Sequence, residues 1–341
     1  MSISSRTCAA YLRLGPHAVR LIPEAMLRDP ARNKEVPLRI YHPAEPGRYP
    51  VILFSHGAGD SNHSSPHLMR HWASHGHVVI LPTHLFGARP LIERSVVRLA
   101  QELMRPREMG PAAWRERTGD LVSIMDNLET IERNAPGLAG MCDRDCVAAA
   151  GHSFGGYTVS LLGGATLCDP NTNEVFSFED PRPKAVVVIS GPGPDDIGLT
   201  DRSWDRFHRP LMVFAGSRDP GHLGDYSGMW RAKAFELCPR GDKYLVYIRG
   251  AHHMSYIGPI FDRPMRDPAR RGPIATTFRR CARAVARVFP GMDQAGIFDY
   301  TRIATTAFWI AYLRGDTAAK DFLCSRALEA YSERRVRLNV R

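Results

Sequence analysis

Apolar positions in this chain recur with two periods, and stretches of the two kinds alternate. Residues 51–54, 77–81, 147–150, 185–189, 211–215 and 243–248 are short, nearly continuous apolar runs. A strand buried on both faces reads this way. Residues 36–41 alternate apolar with polar, and a further strand is expected around 18–22. Between the runs the spacing becomes helical. Residues 66–74 predict one helix, and 120–133 another, with Leu121, Ile124, Met125, Leu128 and Ile131 on one face. Strands alternating with helices predict an α/β protein. Its sheet is expected to be mostly parallel, of about eight strands, with helices on both faces.

The same reading divides the rest of the chain. Residues 1–34 form an N-terminal arm. Residues 87–117 are a lid-like insertion, with Ile92, Val96, Leu99 and Leu103 at helical spacing. Helical patterns return at 274–288, 300–313 and 317–331, so 274–331 is expected to be a set of C-terminal helices. No repeat or low-complexity linker interrupts the chain, which predicts a single domain over 1–341.

Composition narrows the function classes. The 45 Lys and Arg against 35 Asp and Glu leave a net charge of +10. The basic residues are dispersed, with denser runs only at 263–271 and 334–341. No nucleic-acid fold signature accompanies them, so a solvated basic surface is expected rather than nucleic-acid binding. Seven scattered cysteines argue against a disulfide framework. The first residues carry no signal-peptide pattern, and no apolar run reaches membrane-span length. A cytoplasmic protein is expected, unless a leader has been removed.

The candidate chemistry centres on Val147-Ala148-Ala149-Ala150-Gly151-His152-Ser153-Phe154-Gly155-Gly156. An apolar strand, Gly-x-Ser-x-Gly and a helix-compatible segment make the pattern of a nucleophile elbow, with Ser153 as nucleophile. The sharp turn leaves no room for side chains two residues before or after the serine, hence Gly151 and Gly155. Gly156 lets the helix approach the sheet. A serine nucleophile needs a base, an acid to orient the base, and donors for the oxyanion. Ligands in such sheets bind at the carboxyl ends of the strands.

Three strand ends carry suitable groups. Asp219 closes Gly216-Ser217-Arg218-Asp219 after the run at 211–215, with Asp195 and Asp196 as rivals after the preceding strand. His252 and His253 follow the last strand, and spacing leaves open which of them is the base. The small residues of Ser55-His56-Gly57-Ala58-Gly59 suit an oxyanion loop, with Ala58 as one backbone donor and Phe154, after the nucleophile, as the other. His56 is expected to order that loop rather than to catalyse. His63, His67, His71, His75 and His77 crowd one region, but without neighbouring acidic ligands they are expected to form a polar helix face, not a metal site. No cofactor is expected.

The order Ser153, then Asp219, then a histidine is that of α/β-hydrolases. Residues 53–59 and 73–79, the elbow, and Ile248-Arg249-Gly250-Ala251-His252-His253 resemble the plasma-type platelet-activating-factor acetylhydrolases and the bacterial dienelactone-hydrolase-like esterases. Ala311-Tyr312-Leu313-Arg314-Gly315-Asp316 also resembles the bacterial members. The resemblance implies an α/β-hydrolase fold with Ser153 as nucleophile. It also implies His253, the fourth residue of Gly-Ala-x-His, as base, and the N–H groups of Ala58 and Phe154 as oxyanion donors. On the acid it divides: the acetylhydrolase pattern favours Asp195 or Asp196, the bacterial esterase pattern Asp219. True dienelactone hydrolases carry cysteine where Ser153 stands, which argues against that lactone chemistry. The expectation is a serine carboxylic-ester hydrolase acting on a small-molecule or polymeric ester. The alternatives are a hydrolase of another acyl bond (polyester, phospholipid acyl, thioester or amide) and a non-catalytic binding protein on the same scaffold.

Overall fold

The structure, a computed structural model, describes residues 3–58, 60–84, 111–169, 171–195, 197–221, 227–258 and 294–341. Its centre is a nine-stranded sheet in the order β1-β2-β4-β3-β5-β8-β9-β10-β11. These strands are β1 (Val19–Asp29), β2 (Lys34–Pro43), β3 (Tyr49–Ser55), β4 (Val78–Pro82), β5 (Cys142–His152), β8 (Pro183–Ile189), β9 (Leu211–Gly216), β10 (Lys243–Ile248) and β11 (Val336–Val340). From β4 to β10 every neighbouring pair is parallel, while β1, β2 and β11 join antiparallel. A small separate hairpin joins β6 (Thr166–Cys168) to β7 (Val175–Ser177). The expected α/β-hydrolase architecture is therefore present.

Pleat alternation explains the three layers. In β3, Val51 and Leu53 face one apolar cluster while Ile52 and Phe54 face the other, and Val147/Ala149 and Ala148/Ala150 divide β5 in the same way. One face is covered by α1 (Ile3–Leu12), α2 (Pro66–Ser74) and the long α7 (Gln294–Leu313), with α8 (Thr317–Cys324) and α9 (Ala327–Tyr331) beside it. The other packs under α3 (Pro111–Asp126), α4 (Leu128–Asn134), α5 (Phe154–Gly163) and the short α6 (Lys233–Leu237). Trp72 and Trp309, both fully buried, meet edge to face at 5.5 Å in the first layer.

Several expectations change. The single helix expected at 120–133 is two helices that meet at Asn127, whose side chain turns back to donate to the Ser123 carbonyl at 2.9 Å. The basic run at 334–341 is not merely a charged surface. It contains the ninth strand, with Val336 and Leu338 buried and Arg337 exposed between them. The arm at 1–34 is largely ordered, as α1 and the long β1.

The histidine-bearing face of α2 is covered by the N-terminal segment. His71 Nε2 donates to the Tyr11 carbonyl and His75 Nε2 to the Arg13 carbonyl, each at 3.0 Å. The expected helices at 92–103 and 274–288 lie outside the described residues. Among the described residues no helix is long and apolar enough to cross a membrane.

Candidate active site

Ser153 sits between β5 and α5 with φ 56° and ψ −121°, a conformation that costs roughly 1–3 kcal/mol and lifts the side chain clear of the sheet. Its N–H is held by the Ile189 carbonyl at 2.9 Å. The glycines around it have no alternative. A Cβ on Gly151 would stand 2.2 Å from the Gly155 oxygen, and one on Gly155 only 1.9 Å from the Ser55 oxygen. Gly156 fits closely, with its Cβ position 3.2 Å from the Cα of Gly191 beyond the end of β8.

Two loops bring the partners over the carboxyl edge of the sheet. After β10 the chain turns through Gly250, at φ 86°, and delivers His253, whose Nε2 lies 2.8 Å from Ser153 Oγ. Its carbonyl is held by the Nε2 of His152, the residue before the nucleophile, at 2.8 Å. The turn after β9 delivers Asp219, fully buried, with Oδ1 3.2 Å from His253 Nδ1. The structure thus brings Ser153, His253 and Asp219 together. His252 lies against Arg218 instead. Asp195 is exposed, its N–H bonded to the Leu199 carbonyl, and Asp196 lies outside the described residues.

Two further residues complete the acid. Ser190, at the end of β8 with φ 52°, donates to Asp219 Oδ2 at 2.5 Å, and its oxygen lies 2.6 Å from His253 Nδ1. The Nδ1–H is therefore shared between the carboxylate and a hydroxyl that itself points at the carboxylate. Buried Arg231 pairs its Nε with Asp219 Oδ1 at 2.8 Å. Its other nitrogens hold the carbonyls of Ser190, Gly191 and Pro220, tying the two acid-bearing loops together. Burial pushes the Asp219 carboxyl towards protonation. The hydrogen bond and charge of His253, the Arg231 guanidinium and the Ser190 hydroxyl outweigh it and hold the pKa below the usual carboxylate value. Burial, with a smaller contribution from His253, pushes His152 down to about 3, so it stays a neutral donor to the His253 carbonyl.

Sequence reasoning passed over both residues. For Ser190 the signal was its place at the end of a buried strand next to the elbow strand, where the acid search considered only carboxylates. Arg231 carried no signal, because its partners are distant along the chain.

The oxyanion candidates flank the nucleophile. Phe154 is the next residue and opens α5. Ala58 follows Gly57, whose Cβ position is 3.4 Å from Ser153 Cβ, so the loop lies directly against the elbow. His56 orders this loop, as expected, with its Nδ1 2.7 Å from the Gly57 carbonyl. Among the described residues no cluster of His, Cys, Asp and Glu is arranged to hold a metal ion.

Comparison with known proteins gives a partial match. Residues 12–105 match the profile of the Chlorophyllase family. Two curated relatives are "Chlorophyllase-1, chloroplastic" of Citrus unshiu, 33% identical over 127 residues, and its namesake of Citrus sinensis, 32% identical over the same length. Each match spans 37% of this chain and 32% of the relative, so the chain covers about a third of the curated relatives' length. The profile match takes in β3 and the loop carrying Ala58 and ends before Ser153. The likeness is to an α/β-hydrolase family of ester hydrolases, while the resemblance to acetylhydrolases and dienelactone-hydrolase-like esterases rests on the motifs alone.

Proposed function

We propose that the chain is a serine carboxylic-ester hydrolase in which Ser153 is the nucleophile, His253 the base and Asp219 the acid that orients it. The observation that carries this is the Ser153–His253 contact of 2.8 Å at a strained elbow, with His253 backed by a buried, ionised carboxylate. Ser153 Oγ attacks the ester carbonyl carbon while its proton passes to His253 Nε2. The carbonyl oxygen, now an oxyanion, accepts from the N–H groups of Phe154 and Ala58. Collapse breaks the ester C–O bond, and His253 protonates the departing alcohol. A water, deprotonated by the same histidine, then attacks the acyl-enzyme and releases the carboxylic acid and free Ser153. Through both steps Asp219 stabilises the imidazolium that forms.

Likeness to an ester-hydrolase family supports an ester over an amide or thioester. The profile match ends before Ser153, and the choice of acyl group is left to the substrate panel. Labelling by a fluorophosphonate probe tests the nucleophile: wild type should label at Ser153 and folded Ser153→Ala should not. Labelling of the alanine variant, or none of folded wild type, would remove the proposal and favour a non-catalytic scaffold. A panel of p-nitrophenyl esters of increasing chain length, with chlorophyll added, then reads substrate class. A preference for acetate means a tight acyl pocket and long-chain preference an open cleft. Polyester film tests a polymeric substrate, and cell fractionation tests a cytoplasmic location.

A further inference from the structure

The loop that carries Ala58 is held by a buried polar network that none of the steps above uses. Arg117, on α3, is buried, and its Nη2 donates to the His56 carbonyl and, at 3.3 Å, to Ser55 Oγ. Ser55 Oγ in turn lies 3.0 Å from His84 Nε2, and His84 Nδ1 lies 2.9 Å from Asp120 Oδ2. Asp120 is ion-paired with Lys34 at 2.7 Å and Arg32 at 2.9 Å.

One set of proton positions satisfies all of these contacts. His84 carries its proton on Nδ1, towards the carboxylate, and Nε2 accepts from the Ser55 hydroxyl, which accepts from Arg117. The His84 backbone N–H donates to His56 Nε2 at 3.2 Å, so His56 carries its proton on Nδ1 and gives it to the Gly57 carbonyl. Three consecutive residues, Ser55, His56 and Gly57, are therefore fixed by directional bonds, and the next N–H along the chain is that of Ala58. On its other side Arg117 lies over the Phe154 ring, 4.7 Å from the centroid. One guanidinium thus touches the residue carrying one candidate donor and the loop carrying the other.

Burying a guanidinium is costly, and among the described residues Arg117 forms no ion pair and its Nε has no hydrogen-bond partner. Packing alone would be served at least as well by an apolar side chain. We propose that Arg117 is a positioning residue for the oxyanion hole: it clamps the His56 carbonyl so that the Ala58 and Phe154 N–H groups converge on one oxygen, and its charge sits behind the point where negative charge develops. The proposal rests on the serine-hydrolase reading.

The test compares an ester with its thionoester, whose sulfur accepts hydrogen bonds poorly and gains little from the hole. Wild type and Arg117→Met are assayed with both, and near-UV circular dichroism checks the fold. For Arg117→Met we expect ester kcat to fall by about 10- to 100-fold with KM within twofold, less than the roughly 10²- to 10³-fold cost of losing an oxyanion donor itself, since both donors remain. Thionoester kcat should fall much less, so the ester-to-thionoester ratio collapses. Inhibition by an aryl trifluoromethyl ketone, whose adduct places an oxyanion in the hole, should weaken by a similar factor.

Equal losses on ester and thionoester, or an ester kcat within twofold of wild type, would overturn the proposal. Should Arg117→Met not fold, Arg117→Lys takes its place. It keeps a charge but cannot reach both acceptors, and the same ester-selective loss is expected, with equal losses again overturning. Wild type without esterase activity or probe labelling would be a failure of the underlying reading, and the wild-type arm shows that separately.

Discussion

Two Ser–His–Asp chains of nearly equal geometry stand among the described residues. In Ser153–His253–Asp219 the two contacts are 2.8 and 3.2 Å; in Ser55–His84–Asp120 they are 3.0 and 2.9 Å. Everything around them differs. Ser153 stands on a strained turn and the His253 side chain is 34% exposed, whereas Ser55 ends a regular strand and the His84 side chain is 2% exposed. A catalytic base must become an imidazolium. At His84 burial opposes that charge first, then Arg117, Lys34 and Arg32, and its pKa is driven well below the usual value. The Ser55 hydroxyl is already committed between Arg117 and His84. The comparison teaches that residue types and distances do not make a triad. Access, backbone strain and the charges facing the base decide whether the same three side chains react or brace a loop.

The comparison breaks most directly at the two serines. Ser153→Ala should lower kcat by about 10⁴-fold or more without unfolding the chain. Ser55→Ala should cost only a few-fold in kcat and about 1–3 kcal/mol of stability, since it strands the His84 acceptor. Equal losses at both serines in steady-state p-nitrophenyl ester assays would erase the distinction.

The two aspartates come next. Asp219→Asn should lower kcat by about 10³- to 10⁴-fold, because an amide cannot orient and charge-stabilise the imidazole. Asp195→Asn should leave kcat unchanged. Asp120→Asn should act mainly on folding, by about 3 kcal/mol in urea denaturation, since Lys34 and Arg32 would face a neutral amide. A collapse of kcat in Asp195→Asn with activity retained in Asp219→Asn would move the acid to the neighbouring strand end.

Acid should weaken the fold through its buried histidines. His71, His77 and His152 are each pushed to about 3, chiefly by burial, and His56 and His84 are lowered as well. For such histidines the unfolded chain takes up protons that the folded chain refuses, so stability falls as pH drops from about 6.5 towards 3. Each contributes at most about 1.4 kcal/mol per pH unit within that window. Urea midpoints measured between pH 7 and pH 5 should therefore fall steeply, and a flat profile would contradict the neutral, buried assignment.

Ser190→Ala should lower kcat by only about tenfold with KM unchanged, because Asp219 retains His253 and Arg231. A loss as large as that of Asp219→Asn would make the hydroxyl a full partner of the carboxylate.

Much of this was legible in the chain. The apolar runs located six strands of the main sheet, β3, β4, β5, β8, β9 and β10, because a strand buried on both faces has little choice but Val, Ile, Leu, Phe and Ala, and β2 showed by its alternation. The ninth was hidden, although Val336-Arg337-Leu338 alternates correctly, because the surrounding arginines made the segment look like surface. The break at Asn127 was hidden because an asparagine within a helical apolar pattern does not announce which way its side chain will turn.

At the site, Ser153 was readable from its glycines: a Cβ on Gly151 would meet the Gly155 oxygen four residues on, and one on Gly155 would meet the Ser55 oxygen at the end of β3. Asp219 and a histidine were readable because strand ends deliver them. What sequence alone determined was therefore local: the elbow, the strand ends, and the chemical types that gather there. Only the tertiary structure shows that His253 and Asp219, rather than His252 or Asp195, lie beside Ser153, and that the other serine–histidine–aspartate chain is buried. Those choices depend on which side chains from distant segments share one small volume and how much water reaches it. Ser190, Arg231 and Arg117 belong to this second group, since each acts through bonds to backbone and side chains that no spacing along the chain records.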